Sequence, residues 1–134
     1  AGPAARITNN VYRNKALKAI EKRNATLGNE SEYLNMLCNM NVGDNVSVSG
    51  NMSEANFFNY IADYCQMEMM VAKRNMTLGN VSTTIEEKLK NPPAPNASHM
   101  AKVSFIRGIE AECAKDMAKV GMGKAKSWFN EKTK

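Results

Sequence analysis

The residue whose type and position best suit chemistry is Glu68, a carboxylate inside an apolar helical pattern. At 100° per residue, Glu68 falls between Ile61 and Tyr64 on one side and Ala72 on the other. A buried carboxylate must be paired or carry a raised pKa. We therefore expect Glu68 to pair with a lysine or arginine of a neighbouring helix, and the alternative is a functional acid.

Three cysteines and one histidine are the other candidates for nucleophilic or metal chemistry: Cys38, Cys65, Cys113 and His99. No two of the cysteines have the C-x2-4-C spacing of common zinc sites. Nucleophilic catalysis needs a histidine beside cysteine or serine, whereas the single histidine follows a proline-rich segment. The sequence also lacks a phosphate loop, a dinucleotide fingerprint and an HExxH motif. It therefore predicts no catalytic residue, no metal site and no cofactor.

Asn-x-Ser/Thr sequons are unusually frequent and allow two interpretations. A secreted glycoprotein would use the sequons predicted to lie in loops, at Asn45, Asn51 and Asn96. Alternatively, the pattern Gly-Asn-x-Ser ends one helix at glycine and caps the next with serine. Sequons begin at Asn24, Asn29, Asn45, Asn51, Asn75, Asn80 and Asn96.

Two basic groups could hold phosphates or an acidic partner. Lys15, Lys18 and Lys22 recur at i, i+3 and i+7 on the outer face of the first predicted helix, where the alternative is a solvated surface. The C-terminal tail combines Lys124 and Lys126 with Trp128, a mixture that can stack on bases, dock on another subunit or close the core.

Charge is unevenly distributed along the 134 residues, whose net charge is +5. Residues 1–27 carry six basic and one acidic side chain, residues 28–114 six and ten, and residues 115–134 six and two. Basic ends around an acidic middle favour contact with nucleic acid or head-to-tail packing of subunits. No apolar run is long enough to predict a membrane span.

Helix-start and helix-stop signals predict the elements that position these residues. Gly28 and Gly79 each follow a long helical pattern. Each is predicted to end its helix, because glycine readily takes the left-handed conformation at a helix end. The segment 91–96, NPPAPN, is predicted to be an extended linker. Helices are predicted at 8–27, 30–40, 53–78, 82–90 and 98–120, with a short extended stretch at 46–48.

An internal repeat with a period of 51 residues organises the chain. KRNATLGN at 22–29 returns as KRNMTLGN at 73–80, each time at the end of a long helix and before a short one. We therefore predict a single all-α domain over 1–134, a small bundle of about five helices. Its parts are two similar helical hairpins at 1–50 and 51–90, a proline-rich linker at 91–97, and a C-terminal helix with a basic tail at 98–134.

The helical spacing also predicts which side chains face inward. In the second helix these are Tyr33, Leu34, Leu37 and Cys38. In the central helix they are Phe57, Phe58, Ile61, Tyr64, Cys65, Ala72 and Met76, with Asn59, Asp63, Gln66, Lys73 and Arg74 outward. The last helix presents a narrow seam of Ile106, Ile109, Cys113, Met117 and Val120.

The apolar surface of the central helix is wider than one stripe, because methionines flank it. That surplus predicts an interface with other subunits, formed by Phe57, Met67, Met69, Met70, Ile106, Ile109 and Cys113.

Residues 50–127 contain four runs, GNMSEANFFNYIADYC, KRNMTLGN, LKNPPAP and AKDMAKVGMGKAKS, that resemble the small terminase subunits of tailed phages. Those proteins often show a Tyr-Cys helix, an Asn-Pro after a short connection, and a last helix ending in Gly-Leu before a basic tail. The matching positions are Tyr64-Cys65, Asn91-Pro92 and Gly121-Met122, and the helix-turn-helix expected at the start is not evident. The resemblance implies rings that recognise viral DNA for packaging.

Taken together, the sequence favours a non-enzymatic helical module for protein–protein assembly, as part of a homo-oligomer or larger particle. One alternative is a DNA-binding packaging protein that uses Lys15, Lys18, Lys22, Lys124 and Lys126. Another is a secreted, N-glycosylated binding protein. An intracellular or virion location is favoured over secretion, because three cysteines are an odd number for a disulfide-stabilised scaffold.

Overall fold

The computed structural model describes residues 3–39 and 54–120, and in those ranges it contains only α-helices. The all-α prediction is therefore confirmed, while the extended stretch predicted at 46–48 lies outside the described residues. The helices are α1 (Pro3–Leu27), α2 (Glu32–Cys38), α3 (Glu54–Leu78), α4 (Thr83–Leu89) and α5 (His99–Ala118).

Serine side chains cap the starts of α2, α4 and α5. The hydroxyl oxygens of Ser31, Ser82 and Ser98 each accept a hydrogen bond from the backbone N–H three residues further on, at 3.1–3.2 Å. These caps place the start of α2 after Ser31 rather than at residue 30. The first helix begins at Pro3 instead of Thr8, since proline suits the first helical position, where no N–H is needed.

The two long helices α1 and α3 end in the same turn. Gly28 and Gly79 both have φ of +74°, in the left-handed region. The amide of Gly28 donates to the carbonyl of Asn24, and that of Gly79 to the carbonyl of Asn75, each at 2.8 Å. The repeated sequence therefore corresponds to a repeated structure, with α2 and α4 as its short helices.

The three long helices lie side by side with α3 in the middle. Lys102, near the start of α5, lies over the ring of Phe57, near the start of α3. Asp116, near the end of α5, pairs with Arg74, near the end of α3. These two contacts show that α3 and α5 run parallel, and α1 packs along the other flank of α3.

The short helix α2 covers one face of this layer. The ring of Tyr33 packs 5.0 Å from that of Tyr64, and its hydroxyl lies 2.8 Å from the hydroxyl of Tyr60. The same Tyr33 hydroxyl donates to the carbonyl of Pro93, in the segment between α4 and α5. This segment therefore lies on the same face as α2, and it ties the end of α4 to the first hairpin.

One continuous hydrophobic cluster joins all five helices. Its fully buried members include Leu37 of α2, Ile85 of α4 and Ile109 of α5. Most of the predicted inward positions are buried, among them Phe57, Ile61, Tyr64, Cys65, Ile106, Cys113 and Met117.

Four predicted orientations are wrong. Arg74 is buried and Met76 is 85% exposed; the two lie about 200° apart around α3, so burying one turns the other outward. Cys38 is exposed, because α2 ends at this residue. Val120 is 40% exposed, because it lies beyond the end of α5 and no longer follows the helical spacing.

Two glycine substitutions should have opposite effects on stability. Gly79→Ala should lower the free energy of unfolding by about 1 kcal/mol, since alanine strains at positive φ. Gly108→Ala should raise it by about 0.5–1 kcal/mol, since Gly108 lies inside α5 and an added Cβ meets nothing within 4 Å. Urea denaturation of both variants checks this, and equal effects would contradict the assigned backbone conformations.

Candidate functional site

The polar centre of the first hairpin is Arg23, whose side chain is buried in the last turns of α1. Its Nε and Nη2 donate to the two carboxylate oxygens of Glu68 in α3, at 3.0 and 3.2 Å. Its Nη1 donates to the carbonyl of Asn29 and to the side-chain oxygen of Asn24, both at 2.7 Å. The expected partner of Glu68 on a neighbouring helix is thus confirmed.

Arg74 makes the equivalent set of bonds one hairpin later. Its Nε donates to Asp116 of α5 at 3.1 Å, and its Nη1 donates to the carbonyl of Asn80 at 2.6 Å. The side-chain oxygens of Asn75 and Asn80 also accept from Nη1, at 2.9 and 3.0 Å. We call each arginine with its carboxylate and its turn carbonyl an arginine clamp.

The clamps explain why KRN-x-TLGN recurs. A buried guanidinium needs acceptors for its donors, and the clamp supplies both a carboxylate and the carbonyl six residues on. Each clamp therefore fixes a helix end, a turn and the next long helix at once. Both oxygens of Glu68 accept bonds from Arg23, so this acid joins α3 to the end of α1.

Helices α3 and α5 share a second pattern that places the acid of each clamp. Phe57, Ile61, Cys65 and Glu68 correspond to Phe105, Ile109, Cys113 and Asp116, all 48 residues apart. In α1 the positions that correspond to Cys65 and Glu68 are Asn14 and Leu17, both exposed. The three long helices therefore form an array in which α1 gives an arginine, α5 receives one, and α3 does both.

The clamps also account for several sequons. The side-chain oxygens of Asn24, Asn75 and Asn80 accept bonds from the arginines. Asn96 is exposed in the turn before α5. Asn45 and Asn51 lie outside the described residues.

Lys102 is a fully buried lysine without a carboxylate partner among the described residues. Its Nζ donates to the carbonyls of Pro95 and Ala97, and it lies 5.4 and 5.6 Å from the ring centroids of Phe57 and Tyr60. Desolvation by burial lowers the pKa of Lys102. The side chain pins the proline-rich segment onto the bundle and has no surface from which to meet a substrate.

The thiols are not poised for nucleophilic attack. Burial raises the pKa of Cys65 to about 12 and that of Cys113 to about 11. Partial burial of its thiol also raises the pKa of Cys38, against a smaller opposing effect of the Arg13 charge. All three thiols are therefore protonated at neutral pH, whereas a nucleophilic cysteine needs the thiolate.

The lysine stripe, Lys15, Lys18 and Lys22, lies exposed on one side of α1. No ion pair joins these lysines to a carboxylate within residues 11–39 and 54–120. The basic tail residues Lys124, Lys126 and Trp128 lie outside the described part of the chain. Of the two predicted basic groups, only the stripe can therefore be placed.

The side chains predicted to form an interface with other subunits are mostly internal. Met69 is half-buried, and the other six are at most 7% exposed within the chain: Phe57, Met67, Met70, Ile106, Ile109 and Cys113. Methionine and aromatic side chains here fill the space between α3 and its neighbours. Their apolar surface is already covered by this chain's own helices.

Sequence reasoning did not identify Arg23 and Lys102 as buried polar residues, although the spacing contained a signal. Arg23 lies seven residues after the buried Ala16, and Lys102 lies four residues before the buried Ile106. Both spacings put the charged residue on the inward face of its helix. The long aliphatic stems let such residues follow an apolar face to a polar end.

No protein-family model, curated protein or solved structure matches this chain. Among the described residues, no three His, Cys, Asp or Glu side chains are grouped as metal ligands would be. No helix in those ranges is both long and apolar enough to cross a membrane.

The first clamp should contribute more to stability than a surface ion pair of similar chemistry. Glu68→Leu leaves Arg23 buried without its carboxylate and should lower the free energy of unfolding by about 3 kcal/mol. The control Lys90→Met breaks the exposed pair with Glu87 and should cost less than about 1 kcal/mol.

The double variant Arg23→Met/Glu68→Leu tests whether the loss comes from an unpaired charge. It should be more stable than Glu68→Leu alone, because the charge is removed with its partner. A Glu68→Leu variant as stable as Lys90→Met in urea denaturation would show that the clamp contributes nothing.

Proposed function

We propose that this protein is a non-catalytic helical module that binds nucleic acid through phosphate contacts of the lysine stripe. The observation that carries this proposal is the exposed alignment of Lys15, Lys18 and Lys22 without a carboxylate partner among the described residues. Glu21, the single acid of α1, lies at the edge of the stripe, about 60° around the helix from Lys18 and about 100° from Lys22.

The dimensions of the stripe suit a phosphate backbone. Lys15 and Lys22 are seven residues apart, so their backbones are about 10 Å apart along the helix axis. Lysine ammonium groups on flexible stems bind phosphates as point charges, without base recognition. We therefore expect sequence-independent binding that weakens steeply with salt.

The non-catalytic part of the proposal is supported by the condition of the candidate reactive groups. Glu68 is held by Arg23, the thiols are protonated, and Lys102 is enclosed. The two buried arginines join helices, and Lys102 joins α5 to the proline-rich segment. The resemblance to small terminase subunits would give such a module a place in DNA packaging; Tyr64-Cys65 is buried in α3, and Gly121-Met122 lies outside the described residues.

Removing the lysine stripe should reduce both the affinity for DNA and its salt dependence. The triple variant Lys15→Gln, Lys18→Gln, Lys22→Gln should reduce the slope of log K against log salt by about 3 on duplex DNA, since each phosphate contact contributes about 0.9. The control variant removes the same number of positive charges elsewhere and should change this slope little; it is Lys88→Gln, Lys90→Gln, Lys115→Gln. Fluorescence anisotropy with labelled DNA between 50 and 200 mM salt provides the measurement.

Two outcomes would contradict this function. The first is the absence of DNA binding at 50 mM salt. The second is an equal loss in the stripe variant and the control, which would mean that net charge alone attracts the DNA. Binding to vesicles of anionic phospholipid without binding to DNA would assign the stripe to a membrane surface instead.

Assembly is the second candidate function, and the α3–α4 turn favours it. Met76 and Val81 are 85% and 63% exposed. The corresponding residues of the otherwise matching first turn are Ala25 and Glu30. The second turn thus presents apolar side chains to solvent where the first presents small or charged ones, and a second protein surface is the usual cover for such groups.

Restoring the residues of the first turn tests assembly. If this turn joins subunits, Met76→Ala/Val81→Glu should shift the protein towards monomer in sedimentation velocity, because the apolar contact is lost. Ala25→Met/Glu30→Val is the reciprocal control and should not reduce association. Wild-type protein that sediments as a monomer at high concentration would remove this candidate.

A further inference from the structure

A second row of polar side chains lies on α3, next to the lysine stripe. Asn59, Gln66 and Lys73 are spaced seven residues apart and form the exposed strip of a helix that is otherwise largely buried. Gln66 is exposed, and Asn59 and Lys73 are half-buried. We call these three residues the polar strip.

The polar strip and the lysine stripe lie on the same face of the long-helix layer. Tyr64 faces α2 through its contact with Tyr33, and Gln66 lies about 200° around α3 from it, on the opposite face. Likewise Arg13 lies near Cys38 of α2, and Lys15 lies about 200° around α1 from Arg13. Both rows therefore face away from α2.

The repeat makes the two rows equivalent. Lys22 and Lys73 each come directly before a clamp arginine, and Lys15 and Gln66 also correspond at the 51-residue period. Because Arg23 and Arg74 make matching bonds, the preceding lysines occupy equivalent helix positions, with Lys22 exposed and Lys73 half-buried. The two rows lie on neighbouring helices, whose axes are about 8–10 Å apart when packed.

Charge on this face is also ordered. Helical angles place Met69 of α3 and Ala19 of α1 between the rows, and no acid. Asp63 lies about 60° around α3 from Gln66, on the side of α5, and Glu21 lies beyond the stripe on the far side of α1. A polyanion that leaves the stripe towards α3 therefore meets amides and an ammonium group before it meets a carboxylate.

We propose that the bound nucleic acid crosses from α1 to α3, with its backbone held by the lysine stripe on one side and by Lys73 and Gln66 on the other. This inference rests on the proposed function and adds the path of the ligand and its second contact row. Amide and lysine side chains both bind phosphate oxygens, so the strip fixes position without reading sequence.

Two single variants on α3 test this path by anisotropy with duplex DNA. Lys73→Gln should lower the salt slope by about 1, and Gln66→Lys should raise it by about 1 with tighter binding. The controls Lys88→Gln and Thr84→Lys make the same charge changes at exposed positions of α4, outside both rows, and should leave the slope nearly unchanged.

Lys73 also interacts within the chain, so a loss of structure in Lys73→Gln would also weaken DNA binding. A loss of structure would not tighten binding, so the expected gain in Gln66→Lys tests the path independently. If the stripe variant loses binding while both α3 variants match their α4 controls, the crossing path is wrong and the proposed function stands. If the wild type binds no DNA, the proposed function fails first. Changes in both α3 variants in the expected directions support the path.

Discussion

A buried arginine at the end of a long helix is the interaction on which the rest of this structure depends. The guanidinium of Arg23 or Arg74 cannot be buried unless its donors are accepted, and water is excluded from the site. The turn that follows supplies a carbonyl and the next long helix supplies a carboxylate. Satisfying one side chain therefore fixes the exit of its helix and the position of the next helix together.

This constraint organises the described part of the chain as an array of long helices. Each long helix is joined to the next by the same bond pattern, and α3 takes part in both clamps. At the face where α3 presents Cys65 and Glu68, α1 presents Asn14 and Leu17, and both are exposed. Helix α1 therefore gives an arginine to α3 and has no acid at the position that would receive one.

The division between interior and surface bears on function. The groups that could perform chemistry, namely the paired acids, the two buried thiols and Lys102, are used to join elements. The lysines of α1 are on the surface and have no such use within the described residues. A rigid layer that presents a uniform row of ammonium groups suits attraction of a polyanion, which is why the proposals concern binding.

The sequence by itself determined the parts of this protein that depend on neighbours in the chain. Helix starts follow from Ser31, Ser82 and Ser98, and helix ends follow from Gly28 and Gly79, since caps and turns involve residues within six positions of each other. The periodicity of α3 and α5 likewise predicted most of the core. The repeat indicated two hairpins because each is a local unit.

Only the tertiary structure decided which charged residues are inside and what they bind. Arg23 meets Glu68 across 45 positions of sequence, and Arg74 meets Asp116 across 42. Helical spacing and polarity predicted that Arg74 faces outward, because they contain no information about an acceptor on another helix. From the sequence, the methionines of α3 were predicted to contact another subunit. Helical spacing does not show how much of their apolar surface α1 and α5 cover, because that depends on packing. Local rules fix elements, but burial of a charge is decided by the partner that folding brings to it.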